Sequence, residues 1–235
     1  MASSCEADAS KDDCSVKQDA VVEVEATVAS IQIIDEECFL IRGLLTLGEQ
    51  AALFEYIKQL DKTPSNQPRA MVPAPKTLLL GDDGNPSVRY SSSAACVVND
   101  FVAKAVAILK KHHLHVIGGH DSCAYKSLSM ATIQYEAPNG CFPAHVDHCS
   151  DSCVFLASLG CSANFMVKGP TMVEKLQFKL HSGDALVFNA SGEAGVLHSV
   201  VSIDEGGPRG IAKTLEQSFP TWHQHRYGVQ CRMFF

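Results

Sequence analysis

The chain has 235 residues, of which 46% are hydrophobic and 19% are charged, and its formal net charge is −7 at pH 7. This length and composition fit a globular domain with a substantial core and exclude a wholly disordered protein. The acidic balance argues against nucleic-acid binding driven by overall charge, because contacts to phosphate depend on Lys and Arg. The stretch from Lys104 to His115 is a candidate for a local basic patch, and it equally fits the solvated end of a helix.

The apolar segments and the cysteines of the sequence bear on the cellular compartment. No apolar run is long enough to cross a bilayer, and residues Met1 to Asp19 lack the basic and apolar segments of a secretory signal. We therefore expect a soluble intracellular monomer, in the cytoplasm or nucleus, with no membrane partner. The ten cysteines are scattered through hydrophobic contexts such as those of Cys96 and Cys153, which predicts free thiols and not a disulfide framework.

The N-terminal part divides into a tail and a short β region. Residues 1–21 have no apolar periodicity and are expected to be a disordered tail, which leaves residues 22–235 as a single domain. Between Glu23 and Leu40 the β-branched residues come in short runs, which predict one or two strands.

Two predicted helices flank a loop. The first runs from Thr46 to near Lys62, because apolar residues recur there at helical spacing and Thr46 with Glu49 has the form of a capping box. The second is predicted over Val97–His113. Between them, the segment Thr63–Pro86 contains five prolines, so we predict a loop with at most a short strand at Thr77–Leu80.

The remainder of the chain has the pattern of short β-strands separated by Gly, Pro, Ser or Asp. The predicted strands are Ala131–Tyr135, Val154–Leu159, Asn164–Val167, Leu176–Leu180, Ala185–Phe188, Val196–Ile203 and Gly228–Phe235. Two helices followed by these strands predict an α+β, mainly β architecture in which N-terminal helices pack on one sheet of a two-sheet barrel.

Three residues form a candidate metal site. In the extended segment His145-Val146-Asp147 the imidazole and the carboxylate point to the same side, because side chains alternate along extended backbone. His198, inside a predicted strand, is the candidate third ligand. Two histidines and one carboxylate leave three open positions on octahedral iron, which is what a bidentate oxo acid and dioxygen require.

The order of motifs around these residues resembles the AlkB family of 2-oxoglutarate and iron(II) dioxygenases. The motifs are His145-Val146-Asp147, Ser158-Leu159-Gly160, Ser182-Gly183-Asp184, His198 and the closing pair Arg226 and Arg232. The resemblance covers the chain from about Phe39 onward. It implies a double-stranded β-helix, or jelly roll, with the metal at one mouth and N-terminal elements as a lid, for which Leu78–Tyr90 is the matching segment.

The resemblance also implies how 2-oxoglutarate is held. Arg226 would pair with its distal carboxylate, and Arg232 would lie near its metal-bound end and near Asp147; the other reading is two surface arginines on an edge strand. Guanidinium suits this task because its planar fork binds carboxylate in a bidentate way. Gln134 stands where many members carry Asn, the family's cosubstrate-contacting Tyr falls on Tyr135 or, without a gap, on Glu136, and Gly228 replaces another frequent Asn.

The implied activity is oxidation by Fe(II), 2-oxoglutarate and dioxygen, with oxidative demethylation of N-methylated bases in DNA or RNA as the family's usual reaction. A protein substrate and a non-catalytic jelly-roll binding module are the alternatives. A second metal hypothesis uses His145, His148, Cys149 and Cys153 as zinc ligands, but it leaves His198 and both arginines unexplained. Phe188 and Trp222 are either stacking surfaces for a flipped base or, as we expect, core residues.

Overall fold

The structure, a computed structural model, describes residues 29–60, 71–80, 92–115, 127–205, 222 and 224–235. The predicted tail, and most of the predicted loop and lid, lie outside these residues. None of the helices that the structure describes is both long and apolar enough to span a membrane.

Two helices and eleven strands are formed by the described residues. The helices are α1 (Leu47–Leu60) and α2 (Ser92–Lys111). The strands are β1 (Ser30–Asp35), β2 (Cys38–Arg42), β3 (Met71–Leu80), β4 (Ser127–Glu136), β5 (Phe142–His145), β6 (Ser152–Gly160), β7 (Ala163–Lys168), β8 (Leu176–Leu180), β9 (Ala185–Asn189), β10 (Leu197–Ile203) and β11 (His225–Phe234).

The strands form two antiparallel sheets that face each other. The large sheet has the order β1-β2-β9-β6-β11-β4-β3, and the small sheet has the order β5-β10-β7-β8. Strands β4 to β11 therefore supply four members of each sheet, and the chain repeatedly crosses between the sheets. This is the double-stranded β-helix that the motif order implied, and the fold prediction is confirmed.

The apolar residues form one cluster on each side of the large sheet. One cluster lies between the large sheet and the two helices, and the other fills the space between the two sheets. The predicted inner face of α2 is buried throughout: Val98, Phe101, Val102, Ala105 and Leu109. Trp222 belongs to the helix side, where its ring meets the ring of Phe54 edge-on at 4.7 Å, so the expectation that it is a core residue is confirmed.

The start of α1 carries the predicted capping box. The Thr46 backbone N–H donates to the Glu49 carboxylate at 2.7 Å, and the Glu49 N–H donates to the Thr46 hydroxyl at 3.3 Å. Glu49 also accepts hydrogen bonds from Lys104 of α2 at 2.8 Å, which ties the two helices together. Two donors that a helix N-terminus leaves unpaired are thereby satisfied.

One strand prediction was wrong, and one strand was not predicted. β3 is ten residues long, where at most a four-residue strand was predicted. It is the outermost strand of the large sheet, and its register with β4 shifts between Ala74 and Leu78; an edge with an irregularity tolerates the missing N–H groups of Pro73 and Pro75. β5 was not predicted, because a four-residue strand containing Pro143 shows no alternation to detect.

Candidate metal centre

The structure brings together the three predicted metal ligands. His145 is the last residue of β5 and His198 the second residue of β10, and these two residues are directly paired in the small sheet. Asp147 follows two residues after β5. One possible ligand atom from each of the three lies within 4.8 Å of the others, and the two imidazole centroids are 4.2 Å apart.

Hydrogen bonds orient both imidazoles. Nδ1 of His145 donates to the Pro143 carbonyl at 2.9 Å, and Nδ1 of His198 donates to the Val196 carbonyl at 3.1 Å. A carbonyl oxygen only accepts, so Nδ1 of each ring carries a proton, and the neutral form of each ring presents the lone pair of Nε2. This is the arrangement by which a backbone carbonyl fixes the tautomer of a metal-binding histidine.

Aromatic rings enclose the imidazoles. The ring of Phe188 is 4.6 Å from that of His198, the Phe165 ring lies nearly parallel to His198 at 6.4 Å, and Phe142 is 4.7 Å from His145. Burial lowers the pKa of His198, although the Val196 carbonyl acts in the opposite direction. The neutral imidazole, which is the form that binds metals, is therefore favoured.

Asp147 is held by an arginine of the opposite sheet. Nη2 of Arg232 donates to Asp147 Oδ2 at 2.7 Å, while Asp147 Oδ1 lies 3.5 Å from His145 Nε2. One carboxylate oxygen is thus occupied by the arginine and the other faces the imidazole. Two free Nε2 atoms and one free carboxylate oxygen are the donor set of a two-histidine, one-carboxylate iron site, and these residues fit iron(II).

A cavity of about 510 Å³, including its open mouth, extends from this cluster between the two sheets. Its walls are mainly apolar, and its polar residues are few. The lining residues are Ile133, Tyr135, Phe142, His145, Val154, Leu156, Phe165, Phe188, His198, Ser199, Val200, Arg226, Gly228 and Gln230. A concave, mainly apolar site with a few convergent polar groups is typical of small-molecule binding.

Arg226 is a buried cation in this cavity. Only 1% of the residue is exposed, and its Nη1 donates to the Ser158 hydroxyl. Its Nε has no hydrogen-bond partner among the residues that the structure describes. Burial lowers the pKa of Arg226 to about 10, with Tyr135 acting in the opposite direction. A guanidinium in this state is suited to an anionic ligand.

The predicted cosubstrate contacts Gln134 and Tyr135 lie on β4. Tyr135 lines the cavity, pairs in register with Arg226 and is 4% exposed, and burial raises its pKa to about 12. Gln134 is absent from the cavity lining, because the alternation of the strand places Ile133 and Tyr135 on the inner face. Glu136 is exposed. Ile133 takes the inward position beside Tyr135, and the contact of Gln134 with the cosubstrate stays a prediction.

The motifs Ser158-Leu159-Gly160 and Ser182-Gly183-Asp184 are joined by hydrogen bonds. The Gly160 N–H donates to the Ser182 hydroxyl at 3.0 Å, the Gly183 N–H donates to the Ser158 carbonyl at 2.8 Å, and the Ser158 N–H donates to the Asp184 carbonyl at 3.0 Å. Ser158 in turn accepts from Arg226. These motifs therefore support the buried arginine, a role that their letters alone did not reveal.

The zinc alternative does not agree with the structure. Cys153 is fully buried in the cluster between the large sheet and the helices, on the other side of that sheet from the cavity. His145 faces the cavity, so these two residues do not converge. Burial raises the pKa of Cys153, which disfavours the thiolate that binds zinc. Like Cys153, Cys38 and Cys231 are buried free thiols, as predicted.

Comparisons with known proteins bear on the fold. No family model matches the chain, and no curated protein matches it. Among solved structures it is similar to that of OsALKBH1, with 17% identity over 86% of this chain and 100% of that chain and a TM-score of 0.54. A Pseudomonas putida prolyl-4-hydroxylase matches with 10% identity over 84% of this chain and 92% of that one, at a TM-score of 0.49. The similarity to OsALKBH1 shows that the two chains share their overall fold.

Proposed function

We propose that this protein is an iron(II)- and 2-oxoglutarate-dependent dioxygenase. The observation that carries the proposal is one cavity lined both by His145 and His198, which cluster with Asp147, and by a buried Arg226 whose Nε lacks a partner among the described residues. A metal site alone would fit several chemistries. A metal site facing a buried anion-binding group fits a ligand that chelates the metal at one end and carries a carboxylate at the other.

Each residue then has a definite task. His145, Asp147 and His198 would hold the iron, which when bound supplies the oxidation of a C–H bond at the expense of 2-oxoglutarate and dioxygen. Arg226 binds the distal carboxylate, with the hydroxyl of Tyr135 as a second donor beside it. Arg232 holds Asp147 in place. The apolar walls of the cavity exclude water from the site.

For the substrate we propose N-methylated bases in DNA or RNA. Hydroxylation of an N-methyl group gives a hydroxymethyl group, which leaves as formaldehyde, so the net reaction is demethylation. The order of the sequence motifs supports this choice, and a protein substrate of the same class of oxygenase is the second candidate. We further propose that the protein acts as a soluble monomer in the cytoplasm or nucleus.

The test is a reaction of purified protein with Fe(II), 2-oxoglutarate and methylated oligonucleotides, followed by mass spectrometry and by measurement of succinate. We expect loss of methyl groups together with succinate formation. His145→Ala should abolish both, while His148→Ala, which changes an exposed histidine three residues away, should retain both. Succinate without demethylation would retain the oxygenase and reject the nucleic-acid substrate. If no succinate forms under any condition, the oxygenase is rejected and the non-catalytic binding module remains as the candidate.

A further inference from the structure

The candidate ligand Asp147 lies in a segment that no strand or helix fixes. Residues 146–149 follow β5 and precede β6 without belonging to either. Arg232 holds the end of the Asp147 side chain, but a bond at Oδ2 does not place the backbone from which the carboxylate projects. The position of that backbone therefore depends on what the segment contacts.

The loop after β9 holds this segment through backbone hydrogen bonds. The Cys149 N–H donates to the Ala190 carbonyl at 3.0 Å, and the Ala190 N–H donates to the Ser152 carbonyl at 3.0 Å. The Ser152 hydroxyl in turn donates to the Cys149 carbonyl at 2.8 Å. Ala190 is thus bonded to both sides of the turn that leads into β6. A shift of Ala190 would move Cys149, which is only two residues from Asp147.

Asn189, the last residue of β9, fixes the position of Ala190. Its Oδ1 accepts from the Ser191 N–H at 2.9 Å, which turns the chain out of the strand. Its Nδ2 donates to Glu37 Oε2 at 3.0 Å, and its backbone N–H donates to the Glu37 carbonyl at 3.0 Å. Asn189 is buried. One side chain therefore anchors the loop to the turn between β1 and β2 and sets the direction in which the loop leaves the sheet.

The two neighbours of this side chain require an amide. Ser191 offers an N–H and Glu37 offers a carboxylate, so the group between them must accept at one end and donate at the other. An ionised aspartate has the same shape but cannot donate, and it would place a second carboxylate against Glu37. An aliphatic residue would leave the Ser191 N–H without its partner, which is costly in a part-buried loop.

We propose that Asn189 is a positioning residue for the metal centre, which acts on Asp147 through Ala190 and Cys149. This inference rests on the proposed function, because it takes Asp147 to be a metal ligand. Neither Asn189 nor Glu37 lines the cavity, so the pair has no direct contact with the metal or the cosubstrate. Its effect on metal binding is made through the backbone alone.

The experiment is a calorimetric titration of the full-length, metal-stripped protein with Mn²⁺, which measures metal binding without turnover. Asn189→Asp should weaken Mn²⁺ binding about tenfold, the low end of the effect of partners that orient a ligand. Adding Glu37→Gln to this variant should restore the affinity to within about threefold of wild type, since the new amide then donates to the new carboxylate. Glu37→Gln alone should keep the wild-type affinity, because its amide oxygen still accepts from Asn189.

Asn164→Asp is the matched control for a merely structural effect. Asn164 is likewise an amide between two side chains: it donates to Ser202 at 2.8 Å and to Asp204 at 3.2 Å, so an aspartate there also faces a carboxylate. It lies three residues along β7 from Val167, the register partner of His198, which is a separation of roughly 10 Å. Asn164→Asp should therefore leave Mn²⁺ affinity within about twofold of wild type.

Glu37→Ala keeps the test decisive if Asn189→Asp does not fold. It removes the same side-chain bond from its half-buried partner. We expect it to weaken Mn²⁺ binding about threefold, an effect within the range of one hydrogen bond. Thermal unfolding of each variant shows that the titrated protein is folded.

Unchanged Mn²⁺ affinity in Asn189→Asp, or in Glu37→Ala where it takes its place, would overturn the inference. An equal loss of affinity in Asn164→Asp would do the same, because the effect would then be one of general destabilisation. So would a failure of Glu37→Gln to rescue Asn189→Asp. Wild-type protein that does not bind Mn²⁺ at all would instead reject the metal site of the proposed function, so the two failures are distinguishable.

Discussion

Arg232 and Asp147 join the two sheets at the candidate metal centre. Arg232 lies on β11 of the large sheet, and Asp147 follows β5 of the small sheet; Nη2 of the arginine is 2.7 Å from Oδ2 of the carboxylate. The side chain of Asp147 is only 14% exposed and that of Arg232 only 18%. The same strand that carries the buried Arg226 thus also orients one of the three candidate ligands.

Removing this arginine should weaken metal binding. In Arg232→Ala the Asp147 carboxylate loses the group that orients it, and loss of such outer partners typically lowers metal affinity tenfold to a hundredfold. Isothermal titration with Mn²⁺ measures the effect. Lys179→Ala is the matched control, because it removes an exposed ion pair with Asp204 at a similar distance of 2.8 Å. Equal affinities in the two variants would contradict the assigned role.

Arg226→Met should make the ligand-free protein more stable and less able to bind 2-oxoglutarate. The substitution removes a buried cation that no acidic side chain of the described residues pairs with, and replacing buried charges by apolar groups stabilises by about 1 kcal/mol or more. Loss of the charge pair between Arg226 and the distal carboxylate should cost about 2 kcal/mol of binding free energy. Cosubstrate affinity should therefore fall by about thirtyfold or more. Thermal unfolding and a binding titration check the two effects. A destabilised variant would show that Arg226 is structural.

Stability should depend on Glu49 at acid pH. Burial acts to raise its pKa, but hydrogen bonds from Lys104 and Thr46 outweigh this and lower it from 4.5. A carboxylate whose pKa is lowered in the folded state contributes stability above its unfolded pKa, and that contribution is lost as pH falls through the folded pKa. The side chain is 43% exposed, so we expect at most about 1 kcal/mol.

Glu49→Gln should accordingly lower the free energy of unfolding at pH 7 and leave it nearly unchanged well below pH 4, where both proteins carry a neutral group. Urea unfolding at a series of pH values gives the two curves. Parallel curves over the whole range would show that the Glu49 contacts make no net contribution.

Gly160 should not tolerate a side chain. Its φ is +83°, and a Cβ there would lie 2.3 Å from the His225 carbonyl oxygen, which belongs to the neighbouring strand. Gly160→Ala should therefore destabilise by about 3 kcal/mol. Gly48→Ala is the control: a Cβ at that helical position meets nothing within 4 Å and should stabilise by up to about 1 kcal/mol. Chemical denaturation measures both, and similar values for the two would refute the argument.

The elements that sequence reasoning located best are those with a strong local period. The face of α2 formed by Val98, Phe101 and Leu109 follows from helical spacing, and the start of α1 follows from Thr46 and Glu49. In both cases the interacting residues are three or four positions apart, so neighbours in the sequence determine the structure. No such period is visible around β3 and β5, because prolines interrupt both strands and β5 is only four residues long.

Counting along the chain does not show which face of β4 lines the cavity. Gln134 was selected by its distance from His145, but a loop separates the two, and the inward face of β4 is set by pairing with β11. A shift of one residue moves every side chain of a strand to the opposite face. Tyr135 and Ile133 therefore line the cavity, and Gln230, for which no motif letter gave a signal, lines it as well.

By itself the sequence determined which chemical groups are available: two histidines, an aspartate and two arginines, in an order that indicates a double-stranded β-helix. Only the tertiary structure decided that His145 and His198 are register partners, that Arg226 is buried against Ser158, and that Arg232 reaches Asp147 from the other sheet. The reason is physical. These residues are up to 87 positions apart along the chain, from His145 to Arg232, and their meeting depends on strand register, which is set by the packing of both sheets at once.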